Sequence, residues 1–546
     1  MTDISLINIK KNYGFNSVLD NFDLEVNSGE KIGLIGTNGC GKSTLFKIIT
    51  GEENITAGKI AIRNGAKIGM LSQIPPKLDD SITVYDFLKE NFKNIIEMEK
   101  TLKELEEKMA TASNSEMKKI LDKYGKIQQR FIDLDGYTIS SKINEICNRF
   151  GLDNKMLNRR FNVLSGGEKT LVQLASIMLL EPDILLLDEP TNNLDINTLE
   201  WLENYLNNYS GTIIMSSHDR YFLDKIATKI VLIERGKEEI FFGNYSYYLE
   251  ENERRILKEF EDYKDQQKKI EAMKKKIKQL QEFGRLAFPG GEPFFRRAAS
   301  IQKRLDKLEL LNKPLEQREL PISFQMDSRS GKQVLNVKNL NLSIEEKQLL
   351  SNASFNIMFK DRICIMGQNG SGKSTLINYI MNIYNNHIDD SCIKIGSNVL
   401  IGYIPQNIAF EDDKQTILET ARKYYMGSET HLRASLAKFM FNSQDVFKKV
   451  GTLSGGEKVR LKLFELIQQN VNFLIMDEPT NHIDIATKEV LENALKEYPG
   501  TILFISHDRY FINKISEKIL YISDKKVNEY LGNYDYYKEK IERNHQ

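Results

Sequence analysis

One ordered set of short motifs occurs twice in the chain. The hexapeptide LSGGEK occupies Leu164–Lys169 and Leu453–Lys458, each copy following a G-x-x-x-x-G-K-S-T loop and preceding a DEPTN run and an SHDRYF run. The signature serine and the later histidine are 53 residues apart in both copies, Ser165 to His218 and Ser454 to His507. A chain that repeats such a set in register folds as two like domains, and its 546 residues exceed what one core organises.

The first loop runs from Gly36 to Thr44 and includes Asn38, Gly39, Gly41, Lys42 and Ser43; the second runs from Gly367 to Thr375 and includes Asn369, Gly370, Gly372, Lys373 and Ser374. Each follows a short apolar run and opens a helix-like stretch, the strand–loop–helix context that a phosphate-binding loop needs. Glycines let backbone N–H groups turn inward around phosphates, and the helix N-terminus adds positive potential. Lys42 and Lys373 bring an ammonium to the β- and γ-phosphates, and Ser43 and Ser374 are placed to ligate Mg²⁺.

The apolar runs ending in Asp188-Glu189 and Asp477-Glu478 read as buried strands that deliver two adjacent carboxylates. Asp188 and Asp477 are candidate Mg²⁺ holders, and Glu189 and Glu478 sit where a carboxylate orients or deprotonates an attacking water. His218 and His507, in identical six-residue contexts, are candidate γ-phosphate sensors. Gln73 and Gln406, repeated in like settings, are side-chain amides able to bridge metal and water.

Taken together these motifs resemble ATP-binding-cassette ATPases, a class separated from other phosphate-loop proteins by the LSGGE signature. The resemblance implies an α/β fold of two cassettes, each a mixed sheet flanked by helices, packed head to tail. ATP on Lys42 is then closed over by Ser454, Gly455, Gly456 and Glu457, and ATP on Lys373 by Ser165, Gly166, Gly167 and Glu168. Tyr13, 23 residues before Gly36, is placed to stack on adenine; the matching position before Gly367 is Ile344. Asp195 and Asp484 stand after the DEPTN runs in both halves, where cross-talk between the sites is expected.

Composition narrows the setting. Four cysteines without C-x-x-C spacing suggest neither a zinc site nor a disulfide framework, and the apolar runs are strand-sized, so a membrane span and a leader are not expected and a reducing cytoplasm is.

Everything that is not cassette emerges from comparing the halves. Gln73 and Ser165 are 92 positions apart, Gln406 and Ser454 only 48, so an insert is expected near 84–135, a helical arm with a polar break at 111–114. The halves divide as cassettes at 1–244 and 325–546, joined by a linker at 245–324. There Ile256, Phe260, Tyr263, Ile270, Ile277 and Leu280, then Ile301, Leu305 and Leu308, follow three-and-four spacing, which predicts a long helical hairpin. Glycines and prolines predict a tip loop at 284–295, crowded by Arg285, Phe288, Phe294, Phe295, Arg296 and Arg297.

The whole chain has 76 basic and 76 acidic residues, yet Lys264–Leu310 holds 13 Lys or Arg against 6 Asp or Glu. A basic hairpin with aromatic and guanidinium groups at its tip suits a phosphate backbone and unpaired bases, RNA better than duplex DNA. Two cassettes, an arm in the first and a basic helical linker without a membrane domain resemble the F subfamily of ATP-binding-cassette proteins. That resemblance implies a monomer whose ATP-closed form binds the bacterial 70S ribosome at its E site. The linker is then directed along rRNA and P-site tRNA toward the peptidyl-transferase centre. Within the subfamily, the bulky tip favours antibiotic resistance by ribosome protection, with a housekeeping factor for stalled ribosomes as the alternative. An ATPase subunit of a transporter shares the nucleotide motifs but leaves the basic hairpin unexplained, and a cassette DNA-repair ATPase is expected to carry zinc-ligand cysteine pairs.

Overall fold

The computed structural model describes residues 1–14, 16–72, 79–109, 114–192, 194–287, 289–308, 311, 329–344, 347–442, 444–481 and 483–544. Gln73 and Phe288 lie outside the described residues. The chain divides into two compact units, one formed by Met1–Asn244 with Pro321–Gln546 and the other by Tyr245–Leu320.

The first unit holds both cassettes, each built on a six-stranded sheet. In the first, the strand order is Ile68–Leu71, Ile184–Asp188, Thr212–Ser216, Lys31–Ile35, Lys229–Glu234, Lys237–Phe241; all pair in parallel except the last, which is antiparallel. The second repeats the order with Ile401–Ile404, Phe473–Asp477, Thr501–Ile505, Arg362–Gly367, Lys518–Ser523 and Lys526–Leu531. Every residue of Ile184–Asp188, Thr212–Ser216, Phe473–Asp477 and Thr501–Ile505 is buried, as continuous apolar runs in a parallel sheet covered on both faces must be. One cover is the helix after the phosphate loop: Leu45, Phe46, Ile48 and Ile49 join Leu34, Leu186 and Ile214 in a single core with Leu6 and Phe22 of a three-stranded antiparallel sheet. In the second cassette, Leu461, Phe464 and Leu491 cover the opposite face, packed with Phe504 and Phe511. This layering brings the carboxyl ends of the parallel strands together at one edge, where such folds bind ligands.

The arm is shorter at its start than the sequence suggests. Val84–Glu90 is cassette structure: Val84 and Leu88 are buried, and Thr83 both closes a capping box with Asp86 and bridges to Arg160. Thr416, Glu419 and Lys449 repeat that arrangement in the second cassette before Ile417–Arg422, so helical spacing at 84–90 reports a shared core helix rather than the insert. The added hairpin is Lys93–Met109 with Asn114–Asp133, tied by Tyr124 Oη donating to Glu106 Oε1 at 2.7 Å.

In the second unit the helix Tyr245–Leu286 spans 42 residues and is followed by Glu292–Asp306. The two run antiparallel: Phe283 faces Phe294 with ring centroids 6.3 Å apart, and Leu311 N–H donates to Gln266 Oε1 at 2.9 Å. The first helix therefore continues to Leu286 and the second begins at Glu292, so both ends of the expected twelve-residue tip loop are helical. Gly284 is the reason. It lies inside the helix, and a Cβ there would come within 2.8 Å of the Phe295 ring, so this glycine makes room for a packed aromatic instead of breaking the helix. Pro293 sits in the first turn of the returning helix, where its missing N–H costs nothing.

Candidate functional site

Each phosphate loop leaves its strand through a glycine of positive φ, Gly36 at 151° and Gly367 at 153°. A Cβ at Gly36 would lie 2.6 Å from the Ile233 carbonyl oxygen, and at Gly367 2.7 Å from that of Ile522, so only glycine lets the loop turn here. The loop lysines are buried and fold back on their own loops: Lys42 Nζ donates to Gly36 O at 2.8 Å, and Lys373 Nζ to Gly367 O at 2.8 Å and Gln368 O at 3.0 Å. Ser43 is exposed and Thr44 half-buried at the start of the first loop helix; Ser374 and Thr375 are half-buried in the second.

The carboxylates stand at the ends of the adjacent strands. Asp188 accepts from Ser216 Oγ at 2.6 Å, whereas Asp477 accepts from Ser374 Oγ at 3.1 Å, so the serine and aspartate expected to hold Mg²⁺ are joined in the second site. Glu189 and Glu478 adopt left-handed backbone conformations, φ 51° and 49°, a strain of about 1–3 kcal/mol that turns each side chain away from its strand. Glu189 Oε1 and both carboxylate oxygens of Glu478 are buried without a hydrogen-bond partner. Burial pushes both glutamates up to about 7, against the pull of Lys42 on one and Lys373 on the other, while the neighbouring aspartates add to the rise.

The histidines lean over those glutamates with matching geometry. His218 Nε2 lies 3.4 Å from Glu189 Oε1, and His507 Nε2 lies 3.4 Å from Glu478 Oε1. His218 N–H donates to Glu189 Oε2 at 3.2 Å, and its Nε2 is 3.1 Å from Asn38 Oδ1 of the phosphate loop. Burial brings both imidazoles down to about 3, helped by Lys42 at one site and Lys373 at the other, so each ring is neutral and can act as a hydrogen-bond donor at neutral pH.

The two sites are completed across the cassette boundary. Asp195 caps the helix Ile196–Asn207 with one oxygen and receives Asn369 N–H of the opposite loop on the other, at 3.4 Å. Asp484 caps Ile485–Glu497 and receives Asn38 N–H at 3.5 Å. Each loop thus meets the other cassette's aspartate, a head-to-tail pairing. The signature motifs start helices: Ser165 and Ser454 accept from Glu168 N–H and Glu457 N–H, both at 3.3 Å, and the glutamates accept back from the serine N–H groups at 2.8 and 2.9 Å. Glu168 further meets Arg159 at 2.7 Å and Glu457 meets Lys448 at 3.0 Å, so these glutamates hold the signature turn. Ser165, Gly166, Ser454 and Gly455 face solvent, while Gly167 and Gly456 are buried in their helices.

Tyr13 is exposed at a strand end, its hydroxyl donating to Glu53 and Lys11 Nζ lying 5.0 Å from its ring. Ile344 holds the matching hairpin position, pairing Lys347 as Tyr13 pairs Asn16. Gln406 is exposed just beyond Ile401–Ile404, the strand that neighbours Asp477. In the other unit, Arg285 precedes the turn, Arg296 meets Glu292 at 3.4 Å, and Arg297 follows on the same exposed helix surface.

The arginine of each SHDRYF run has a role that its spacing does not announce. Arg220 forms a buried ion pair with Glu492 of the other cassette and stacks 3.9 Å above the Tyr510 ring centroid; Arg509 pairs with Glu203 and stacks 4.2 Å above Tyr221. The available signal was the repeated Leu-Glu-Asn at 202–204 and 491–493, in register with the duplicated arginines.

The donor set suits Mg²⁺, which takes few protein oxygens and keeps the rest for water and phosphate: a serine hydroxyl and an aspartate at each site, with unpartnered glutamate oxygens beside them. Among the described residues no helix is long and apolar enough to cross a membrane.

Comparison with known proteins agrees with this geometry. The family model described as ABC transporter matches residues 19–192 and 350–481, and its extension model matches 231–324. The chain is 39% identical over 97% of its length to the putative ATP-binding protein YdiF of Bacillus subtilis (strain 168), covering 82% of that protein. It is 36% identical to ABC transporter F family member 2 of Arabidopsis thaliana, with 98% of this chain and 79% of that one aligned. It is 34% identical to the energy-dependent translational throttle protein EttA of Haemophilus influenzae, with 96% and 92% aligned. An archaeal ribosome recycling factor, aABCE1, shares the fold at a TM-score of 0.61 and 16% identity over 98% of this chain and 92% of that one. The chain is a twin-cassette ATPase and belongs to the F subfamily of the ATP-binding-cassette family.

Proposed function

We propose that the chain is an ATP-dependent ribosome-binding factor of bacterial cytoplasm that acts as a monomer on translation. ATP at two composite sites draws the cassettes together, the closed form docks at the ribosomal E site, and the hairpin extends along rRNA and P-site tRNA toward the peptidyl-transferase centre. The observation that carries the reading is the crossed pairing of Asn38 with Asp484 and of Asn369 with Asp195, set beside a linker hairpin carrying 13 basic residues against 6 acidic ones. A relative aligned along nearly the whole chain bears the name of a translational throttle.

At each site, the loop glycines and lysine bind the phosphates, and Ser43 with Asp188, or Ser374 with Asp477, hold Mg²⁺, joined by Gln73 and Gln406. Mg²⁺ bound by those residues would supply positive charge against the phosphates. Glu189 and Glu478 accept the proton of the attacking water, and neutral His218 and His507 donate toward the γ-phosphate. Ser165, Gly166, Gly167 and their counterparts Ser454, Gly455 and Gly456 close over the opposite nucleotide with the helix N-terminus behind them. Turnover measured with and without purified 70S ribosomes tests the reading: stimulation supports it, and an unchanged rate opposes it.

A second reading, protection of the ribosome from antibiotics bound at that centre, is favoured by the apolar tip. Phe283 is 55% exposed, Leu286 78% and Phe295 41%. Expression in a sensitive bacterium, with drug tolerance compared between the intact chain and one in which residues 287–291 are replaced by two glycines, separates the readings. Tolerance that needs the native residues supports protection; no tolerance in either leaves the translation-factor reading.

A further inference from the structure

Lys488 is buried on the helix Ile485–Glu497, one turn beyond Asp484. Its ammonium donates to two partners in different cassettes: the backbone oxygen of His218 at 2.9 Å and Asp508 Oδ2 at 2.7 Å. Asp508 follows His507 and caps the helix Arg509–Ile515. One buried cation therefore grips the loop that carries the histidine of the first site and the loop that carries the histidine of the second. His218 is consequently fixed at its N–H by Glu189, at its ring by Asn38 and at its carbonyl by Lys488.

The arrangement has no mirror image. The position four residues after Asp195, equivalent to Lys488, is Leu199, which is buried. The surroundings are otherwise duplicated, with Glu203 and Glu492, Arg220 and Arg509, and Tyr221 and Tyr510 in matching roles. Asp219, the counterpart of Asp508, faces Arg509 at 3.6 Å. A buried ammonium is retained only where acceptors compensate its desolvation, so the carbonyl of His218 and the carboxylate of Asp508 are bound to it rather than merely near it. Burial alone would raise the Asp508 carboxyl; Lys488 and Arg220 outweigh it and hold the group below its usual range.

The geometry points to Lys488 as a positioning residue that sets the histidine loop of the first ATP site from the second cassette, ties that loop to its counterpart, and leaves the two sites unequal. The inference rests on the roles given above to the glutamates and histidines. Loss of the ammonium removes the hydrogen bond that ties the His218 carbonyl to the second cassette, while His507 keeps a loop whose aspartate still caps its helix and faces Arg220.

The test uses the full chain in two single-site backgrounds, Glu478→Gln leaving the first site active and Glu189→Gln leaving the second. Lys488→Leu, which installs the residue of the equivalent position, is expected to lower kcat at the first site at least tenfold with KM for ATP changed less than twofold. At the second site the fall is expected to stay under threefold, and Lys488→Arg is expected to restore most of the first-site rate. Equal falls at both sites, an effect on KM alone, or an unchanged first-site rate would overturn the assignment. Thermal midpoints are recorded for each variant, and Lys488→Gln carries the same comparison should the leucine variant unfold. The Glu189→Gln/Glu478→Gln double variant tests the underlying reading separately: full turnover there sinks the glutamates' role whatever Lys488 does.

Discussion

Arg220 of the first cassette and Glu492 of the second form an ion pair buried at their boundary, and Arg509 with Glu203 repeats it with the cassettes exchanged. Lys514 approaches Glu492 at 2.9 Å and Lys225 approaches Glu203 at 3.1 Å, so each glutamate is shared by an arginine from across the boundary and a lysine from its own side. Because Arg220 follows His218 and Arg509 follows His507 by two residues, the boundary pairs and the candidate ATP sites belong to the same loops.

Breaking one such pair leaves an uncompensated charge in a dry interface. Glu492→Ala is expected to destabilise the chain by about 3–5 kcal/mol, against at most about 1 kcal/mol for removal of an exposed partner such as Glu99. Chemical denaturation of the two variants measures the difference.

Crossed site composition predicts crossed effects. Asp484→Ala, which removes the acceptor of Asn38 N–H, is expected to lower turnover at the first site on the order of tenfold, and Asp195→Ala to do so at the second. Steady-state rates in the Glu478→Gln and Glu189→Gln backgrounds check this; each variant acting on its own cassette's loop would contradict head-to-tail sharing.

The glutamates predict a pH dependence. Both lie near 7 in the folded protein against an ordinary 4.5, and the ionised form is the proposed base, so kcat/KM for ATP is expected to rise with pH through a midpoint near 7. A folded pKa above the unfolded one penalises ionisation in the fold. The stability tied to each glutamate is full below about 4.5 and is lost as pH rises toward 7, on the order of 3 kcal/mol for Glu189. Thermal midpoints of the wild type and of Glu189→Gln/Glu478→Gln are expected to diverge over that window, the variant keeping its stability.

Lys274, Lys275 and Lys276 lie on the long helix of the basic hairpin. Their replacement by Ala is expected to weaken ribosome binding and to flatten its salt dependence by up to roughly one log-log unit per lost phosphate contact. Binding isotherms at several salt concentrations measure the slope, and an unchanged slope would assign those lysines to a solvated face.

The candidate nucleotide sites are legible as motifs because their residues are local: loop, strand end and signature each occupy a few consecutive positions, and duplication singles out even a lone histidine. Less legible were features set by packing. Gly284 reads as a helix breaker until Phe295 is seen against it, and 84–90 reads as insert until its twin at 417–422 is placed in the other core. Arg220 meets its partner 272 positions away, beyond any spacing rule. The signature glutamates fit a capping box as well as a nucleotide contact, and the backbone places them in the box.

Co-sedimentation of the Glu189→Gln/Glu478→Gln protein with purified bacterial 70S ribosomes, with and without ATP, tests the central claim most directly. That variant is expected to lose hydrolysis and keep closure, so ATP is expected to carry the protein into the ribosomal pellet. Protein that remains in the supernatant with ATP present, or that pellets equally without it, would contradict ATP-driven docking.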